Sequence, residues 1–108
     1  MFKLSRSADT TGITEMGEVE VSPAEIVRRF GAPSGVDGYK ISGEYVFVDK
    51  KGQPFVVHDW KSTNLWDHSF PTPEEFWSSE EPPELSVSSR DLETNEFEMW
   101  FLEQLEGG

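Results

Sequence analysis

The chain has 108 residues, a common size for one domain, and its formal net charge is −12 at pH 7. It contains no cysteine, which excludes disulfides, thiolate metal sites and cysteine nucleophiles from this sequence. No apolar run approaches the roughly 18 residues of a membrane span, and the first residues lack the apolar run of a signal peptide, so we expect a cytoplasmic protein without a membrane partner.

The first half of the chain predicts an arm and then a helix. Residues 1–17 are rich in Ser, Thr, Asp and Gly and predict a flexible N-terminal arm, with a short edge strand around residues 13–21. A helix is predicted to begin with Ser22 as N-cap, Pro23 in the first turn and Glu25 completing a capping box. It ends near residue 30, because Gly31 supplies a C-terminal cap. Residues 18–108 are expected to form a single α+β domain.

Residues 39–48 and 55–60 predict a β-hairpin, because both segments are rich in β-branched and aromatic side chains. A turn over residues 49–52, with Gly52 in the left-handed conformation, sets the register. Apolar residues on both faces indicate a sheet that is covered on both sides for part of its length. The predicted cross-strand pairs are Phe47 with Phe55, Val46 with Val56, Tyr45 with Val57, and Glu44 with His58.

The second half of the chain predicts three further elements. Thr72, Pro73 and Glu75 repeat the capping-box pattern and open a short helical turn. Alternating apolar residues predict a strand over residues 85–88, and apolar residues at helical spacing predict an amphipathic helix from Asp91 onward. We therefore expect an α+β fold, in which a small antiparallel sheet centred on the 39–48/55–60 hairpin packs with a short N-terminal helix and an acidic C-terminal helix.

The negative charge is concentrated in the second half of the chain. Residues 1–61 carry a net charge of −1, whereas residues 62–108 carry −11. This sign repels phosphate backbones and attracts basic partners, so we expect no direct binding of nucleic acid. A row of carboxylates can occupy a basic groove as phosphates do, although an acid excess also simply keeps a small protein soluble. The residues predicted to contact a basic partner are Glu74, Glu75, Glu80, Glu81, Glu93, Glu96, Glu98, Glu103, Trp66 and Trp77.

Four short motifs occur in the order Phe30-Gly31-Ala32-Pro33, Gly38-Tyr39-Lys40, Gly43-Glu44-Tyr45 and Asp59-Trp60-Lys61. In this order the chain resembles a group of small uncharacterised proteins that are common in bacteriophage genomes. The resemblance covers about residues 10–66 and leaves out the acidic region that follows. It implies no particular activity. It does imply a context, because small early phage proteins often bind and block host machinery, including nucleases and defence complexes.

The sequence leaves a small-ligand function open as an alternative. Aromatic and cationic side chains can together hold a nucleotide, across a homodimer or within a monomer. Cations near the end of the first helix are also explained by the helix dipole alone. The residues that would form such a nucleotide site are Arg28, Arg29, Lys40, Lys61 and Trp60.

The predicted pairing of His58 with Glu44 is the best candidate for chemistry. A carboxylate beside an imidazole can act as a general base or supply two metal ligands, and Asp59, Asp67 and His68 are the nearest further ligands. Oppositely charged cross-strand pairs also stabilise ordinary sheets, and this spacing matches no metal motif. No nucleophile motif is present. We therefore expect a non-enzymatic binding protein without a metal or other cofactor.

Overall fold

The computed structural model describes residues 2–5, 10–34, 43–59, 63–90 and 93–107. These residues form one antiparallel sheet, with strand order β1-β3-β4-β5-β2, and three helices. The strands are β1 (Lys3–Leu4), β2 (Thr14–Glu20), β3 (Glu44–Val48), β4 (Pro54–His58) and β5 (Glu84–Ser89). The helices are α1 (Pro23–Phe30), α2 (Pro73–Trp77) and α3 (Asn95–Gly107). The predicted α+β fold is therefore confirmed.

The β3–β4 hairpin has the predicted register at all four predicted pairs. Gly52 has a φ of +82°, in the left-handed region that favours glycine, and its N–H donates to the Asp49 carbonyl. The predicted strand ends at residues 39–42 and at residue 60 lie outside the described residues. The short C-terminal strand is confirmed as β5, which lies between β4 and β2 and is therefore central in the sheet.

Both edges of the sheet come from the N-terminal part of the chain. β2 confirms the predicted edge strand and pairs with β5. Residues 1–17 were expected to form a flexible arm, yet Lys3 and Leu4 pair with Val48 and Phe47 as the opposite edge strand. The ring of Phe2 also packs against Phe55 and Phe97. Residues Phe2–Leu4 are therefore fixed to β3 and the aromatic core, and the first residues of β2 are paired with β5.

Aromatic rings fill the core between the sheet and the helices. Phe97 and Phe101 of α3 pack on Phe47 of β3, with ring centroids 5.5 and 5.6 Å apart. Phe97 also stacks on Phe55 at 5.0 Å, and Phe30 of α1 stacks on Phe101 at 5.8 Å. These rings share the core with buried aliphatic side chains, which include Ile26, Leu85 and Val87.

Helix α1 begins after the predicted N-cap Ser22 with Pro23, but only the Ser22 half of the predicted capping box is formed. The Ser22 hydroxyl accepts a hydrogen bond from the Glu25 N–H and donates one to the Ser79 carbonyl, which joins the start of α1 to the end of α2. Gly31 has a φ of +88°, and its carbonyl accepts the Tyr45 hydroxyl at 2.6 Å. Both ends of α1 are therefore tied to neighbouring elements.

The second face of the sheet is also buried in its centre, as the sequence predicted. Val46 and Val56 lie there, next to His58, Ser86 and Ser88, and all five side chains are buried.

Among the described residues, no helix is long and apolar enough to cross a membrane.

The aromatic core makes a stability prediction that uses two residues of one helix. Phe97→Ala removes a ring that is 1% exposed and should lower the free energy of unfolding by about 3–5 kcal/mol. Met99→Ala, at a side chain that is 65% exposed, should change it by less than about 0.5 kcal/mol. Urea unfolding of both variants measures the difference, and equal losses would contradict this account of the core.

Candidate functional site

Three of the acidic residues predicted to contact a partner already serve the fold. The Glu75 carboxylate accepts the Thr72 N–H at 3.0 Å and completes a capping box, and this hydrogen bond lowers the pKa of Glu75. The Glu98 carboxylate accepts the Thr94 hydroxyl at 2.6 Å and lies directly over Gly17. Glu93 accepts the Asn95 N–H at 2.8 Å at the start of α3. These carboxylates are oriented by the chain itself.

Arg28 and Glu80 were assigned to two different predicted sites, but the structure joins them. The Arg28 guanidinium donates to both oxygens of the Glu80 carboxylate, at 2.9 and 3.1 Å. This bidentate contact lowers the pKa of Glu80 and raises that of Arg28. The neighbouring Arg29 donates to the Gln104 side chain at 3.0 Å. Both arginines therefore have intramolecular partners.

The remaining residues of the predicted nucleotide site and the two tryptophans have different outcomes. Lys40, Lys61 and Trp60 lie outside the described residues. Trp66 is 38% exposed, in agreement with an exposed position. Trp77 is only 7% exposed and packs edge-on against Tyr45, because α2 directs this side chain into the core. This burial contradicts the prediction that Trp77 contacts a partner.

The predicted cross-strand pair of Glu44 and His58 forms, with His58 buried and Glu44 half-buried. Burial raises the pKa of Glu44, and the neighbouring imidazole opposes this shift. His58 contacts the Ser88 hydroxyl through Nε2 at 3.1 Å and the Asp59 carbonyl through Nδ1 at 3.2 Å. His68 is exposed in the 63–70 segment. Among the described residues, no three His, Asp or Glu side chains are arranged to hold a metal ion.

The outer face of α3 combines acidic and apolar side chains. Met99 and Leu102 are 65% and 37% exposed, and Glu103 and Glu106 lie beside them. The helix sequence contains no lysine or arginine. Phe97 and Phe101 are buried on the side of α3 that faces the sheet. The outer face of the helix is therefore exposed to solvent. The amphipathic pattern therefore positions this acidic face, as the sequence analysis expected.

Edge strand β2 extends the acidic region in a way that the sequence analysis missed. Glu18 and Glu20 lie on one face of β2, opposite Ser86 and Glu84 of β5. The pKa of Glu84 is raised, because its protonated form can hydrogen-bond to the Glu18 carboxylate and its charged form is repelled by it. A signal was present, since alternate residues of a strand share one face. It was obscured because residues 1–61 nearly balance their charges when they are summed along the chain.

Residues of β2, α1 and α3 line one groove of about 240 Å³. Leu102 and Leu105 of α3 give it an apolar side, and Glu20, Glu25 and Glu106 come from three different elements. Glu80, already paired with Arg28, also lines it. We call this feature the acidic groove. It brings together carboxylates that are 86 positions apart in sequence, from Glu20 to Glu106.

The groove has the chemistry of a receptor for long cationic side chains. Lysine and arginine bury an aliphatic stem while keeping the charged head near acceptors or water. The two leucines suit the stem, and the surrounding carboxylates suit the head.

The chain matches no protein-family model, and no curated protein is significantly similar to it.

The contact between Glu18 and Glu84 predicts a pH-dependent effect on stability. The raised pKa of Glu84 means that the pair stabilises the fold below the ordinary carboxyl pKa of about 4.3, and this contribution is lost as the pH rises through the raised value. At pH 7 the Glu18 and Glu84 carboxylates repel each other, and Glu84→Gln removes this repulsion. The variant should therefore have a higher melting temperature than the wild type at pH 7, with a smaller difference at pH 4. Thermal unfolding at both pH values tests this, with Glu81→Gln as a control for loss of one exposed charge.

A gain of the same size in Glu81→Gln would show that net charge alone is responsible. A Glu84→Gln variant that melts at the wild-type temperature at pH 7 would contradict the proposed repulsion.

Proposed function

We propose that the protein is a non-enzymatic binding protein of phage type, which inhibits a host or defence protein by occupying that protein's basic, nucleic-acid-binding groove. The acidic groove carries this proposal. It combines acidic residues from different secondary-structure elements with an apolar wall. Such a surface is complementary to the lysine and arginine side chains that normally contact phosphates.

The charge around the groove supports a basic partner. Among the described residues, the only ion pair within 4 Å joins Arg28 to Glu80, and Arg28 also attracts the nearby Glu25. The groove residues Glu20 and Glu106 form no ion pair with a described residue. A partner that supplies cations gains attraction at long range and relieves repulsion between these carboxylates. The same field repels nucleic acid, so the protein competes with nucleic acid for the partner and does not bind it.

Exposed apolar side chains next to the groove favour a protein as the occupant. Met99 and Leu102 stand beside the carboxylates on the outer face of α3. Methionine is enriched in the cores of protein interfaces, where apolar contact supplies affinity and surrounding charges supply orientation and association rate. The acidic groove and these two side chains therefore form one continuous candidate interface.

The proposal predicts that two carboxylates of the groove are needed to capture a partner. Wild-type protein, immobilised and exposed to a bacterial lysate, should retain a nucleic-acid-handling protein at about 0.05 M salt and lose most of it at about 0.3 M. Glu20→Gln/Glu106→Gln should bind this protein about tenfold more weakly, because both changes remove charge from the groove. Duplex DNA added to the captured complex should displace the partner.

A matched control separates the groove from overall charge. Glu15→Gln/Asp67→Asn removes the same number of charges from exposed positions that neither line the acidic groove nor were predicted to contact a partner, and it should retain the partner. An equal loss of partner binding in both double variants would mean that net charge, and not the acidic groove, is responsible. Capture that resists both salt and duplex DNA would contradict nucleic-acid mimicry.

A further inference from the structure

A second groove, of about 630 Å³, lies at the other end of α3, beside the turn of the β3–β4 hairpin. It is more than twice the volume of the acidic groove and falls within the usual range for small-molecule sites. None of its residues belongs to the nucleotide site or the metal site that the sequence suggested, although Glu93 and Glu96 were predicted partner contacts. The residues important for its chemistry are Phe2, Lys50, Lys51, Arg90, Glu93 and Glu96.

The hairpin turn holds two lysines at the rim of this groove. The Asp49 carboxylate accepts the backbone N–H groups of Lys51 and Gln53 at 2.8 and 2.9 Å, which fixes the turn. Gly52 completes it with a positive φ. Lys50 and Lys51 therefore stand next to each other on a constrained turn, with their side chains exposed. Arg90 adds a third cation from the end of β5.

Aromatic rings form the apolar part of the groove. Phe2 is half-buried and contacts Phe55 and Phe97 edge-on, with both centroid distances at 5.3 Å. Phe55 and Phe97 are themselves stacked and buried, so they fix the position of the Phe2 ring. The exposed part of Phe2 thus offers a rigid apolar surface between charged side chains.

Carboxylates from the start of α3 stand on the remaining side. Glu93 is oriented by its hydrogen bond to the Asn95 N–H, and Glu96 follows within the first turn with an exposed side chain. The three carboxylates of the lining, with Asp49 included, balance its three cations. In a protein with a net charge of −12, a ligand with only negative charges is repelled at long range, whereas a ligand with one charge of each sign is not.

We propose that this groove binds a zwitterionic ligand with an apolar body, of the chemical class of a short peptide with free amino and carboxyl termini. The ligand ammonium is held by Glu96, its carboxylate by Lys50 and Lys51, and its apolar side chain by the Phe2 ring. Because the acidic groove is a separate surface, this site does not depend on the function proposed above.

Calorimetric titration with the dipeptide leucyl-phenylalanine tests the proposal. The free dipeptide should bind saturably, and N-acetylation or C-amidation should each weaken binding about tenfold, because each removes one of the two recognised charges. Adenosine monophosphate should bind more weakly than the dipeptide. Tighter binding of the nucleotide would overturn the zwitterion assignment, as would equal binding of the free and blocked dipeptides or no saturable binding at millimolar concentration.

Variants assign each charge to its side chain. Glu96→Gln should weaken binding of the free dipeptide and abolish the effect of N-acetylation, whereas Lys50→Ala/Lys51→Ala should abolish the effect of C-amidation. Glu103→Gln is the control, since it removes a charge from the same helix outside the groove and should bind as the wild type does. If Glu96→Gln and Lys50→Ala/Lys51→Ala both bind the dipeptide with wild-type affinity, the site is not this groove.

Discussion

The packing of α3 onto the centre of the sheet is the contact on which the rest of the structure depends. Phe97 and Phe101 join Phe47 in a buried aromatic cluster, and this cluster determines the side of α3 that faces solvent. It also sets the helix beside β2, where the Glu98 carboxylate lies over Gly17. A Cβ at this point would meet the Glu98 carboxylate, which is the end of a flexible side chain and would have to move aside.

This packing has an electrostatic consequence. It gathers negative charge from three elements on one side of the molecule, even though like charges repel and reduce stability when they are close. Pairing of β2 with β5 adds a separate contact between like charges, in which Glu18 raises the pKa of Glu84. Apolar burial compensates for it, since the aromatic core removes large side chains from water. A basic partner would relieve the same repulsion, which links the stability of the fold to its proposed use.

The two ends of α3 differ in chemistry for a topological reason. The first turn lies next to the β3–β4 turn, which contributes Lys50 and Lys51 and produces a groove with balanced charges. The last turns lie next to the end of β2 and the start of α1, which contribute Glu20 and Glu25 and produce an acidic groove. One helix therefore takes part in two surfaces with different ligand chemistry, each completed by side chains from other elements.

The sequence by itself determined the local structure of this protein. Capping residues located α1 and α2, alternation located β5, and turn chemistry with Gly52 predicted the hairpin register, because these signals act between residues that are close in the chain. The tertiary structure alone decided which charges are paired and which elements share a surface. Arg28 meets Glu80 across 52 positions, Glu20 and Glu106 line one groove, and Lys3–Leu4 pairs with β3 as an edge strand. Such contacts depend on how strands and helices are arranged in space, and a charge count along the chain does not contain that arrangement.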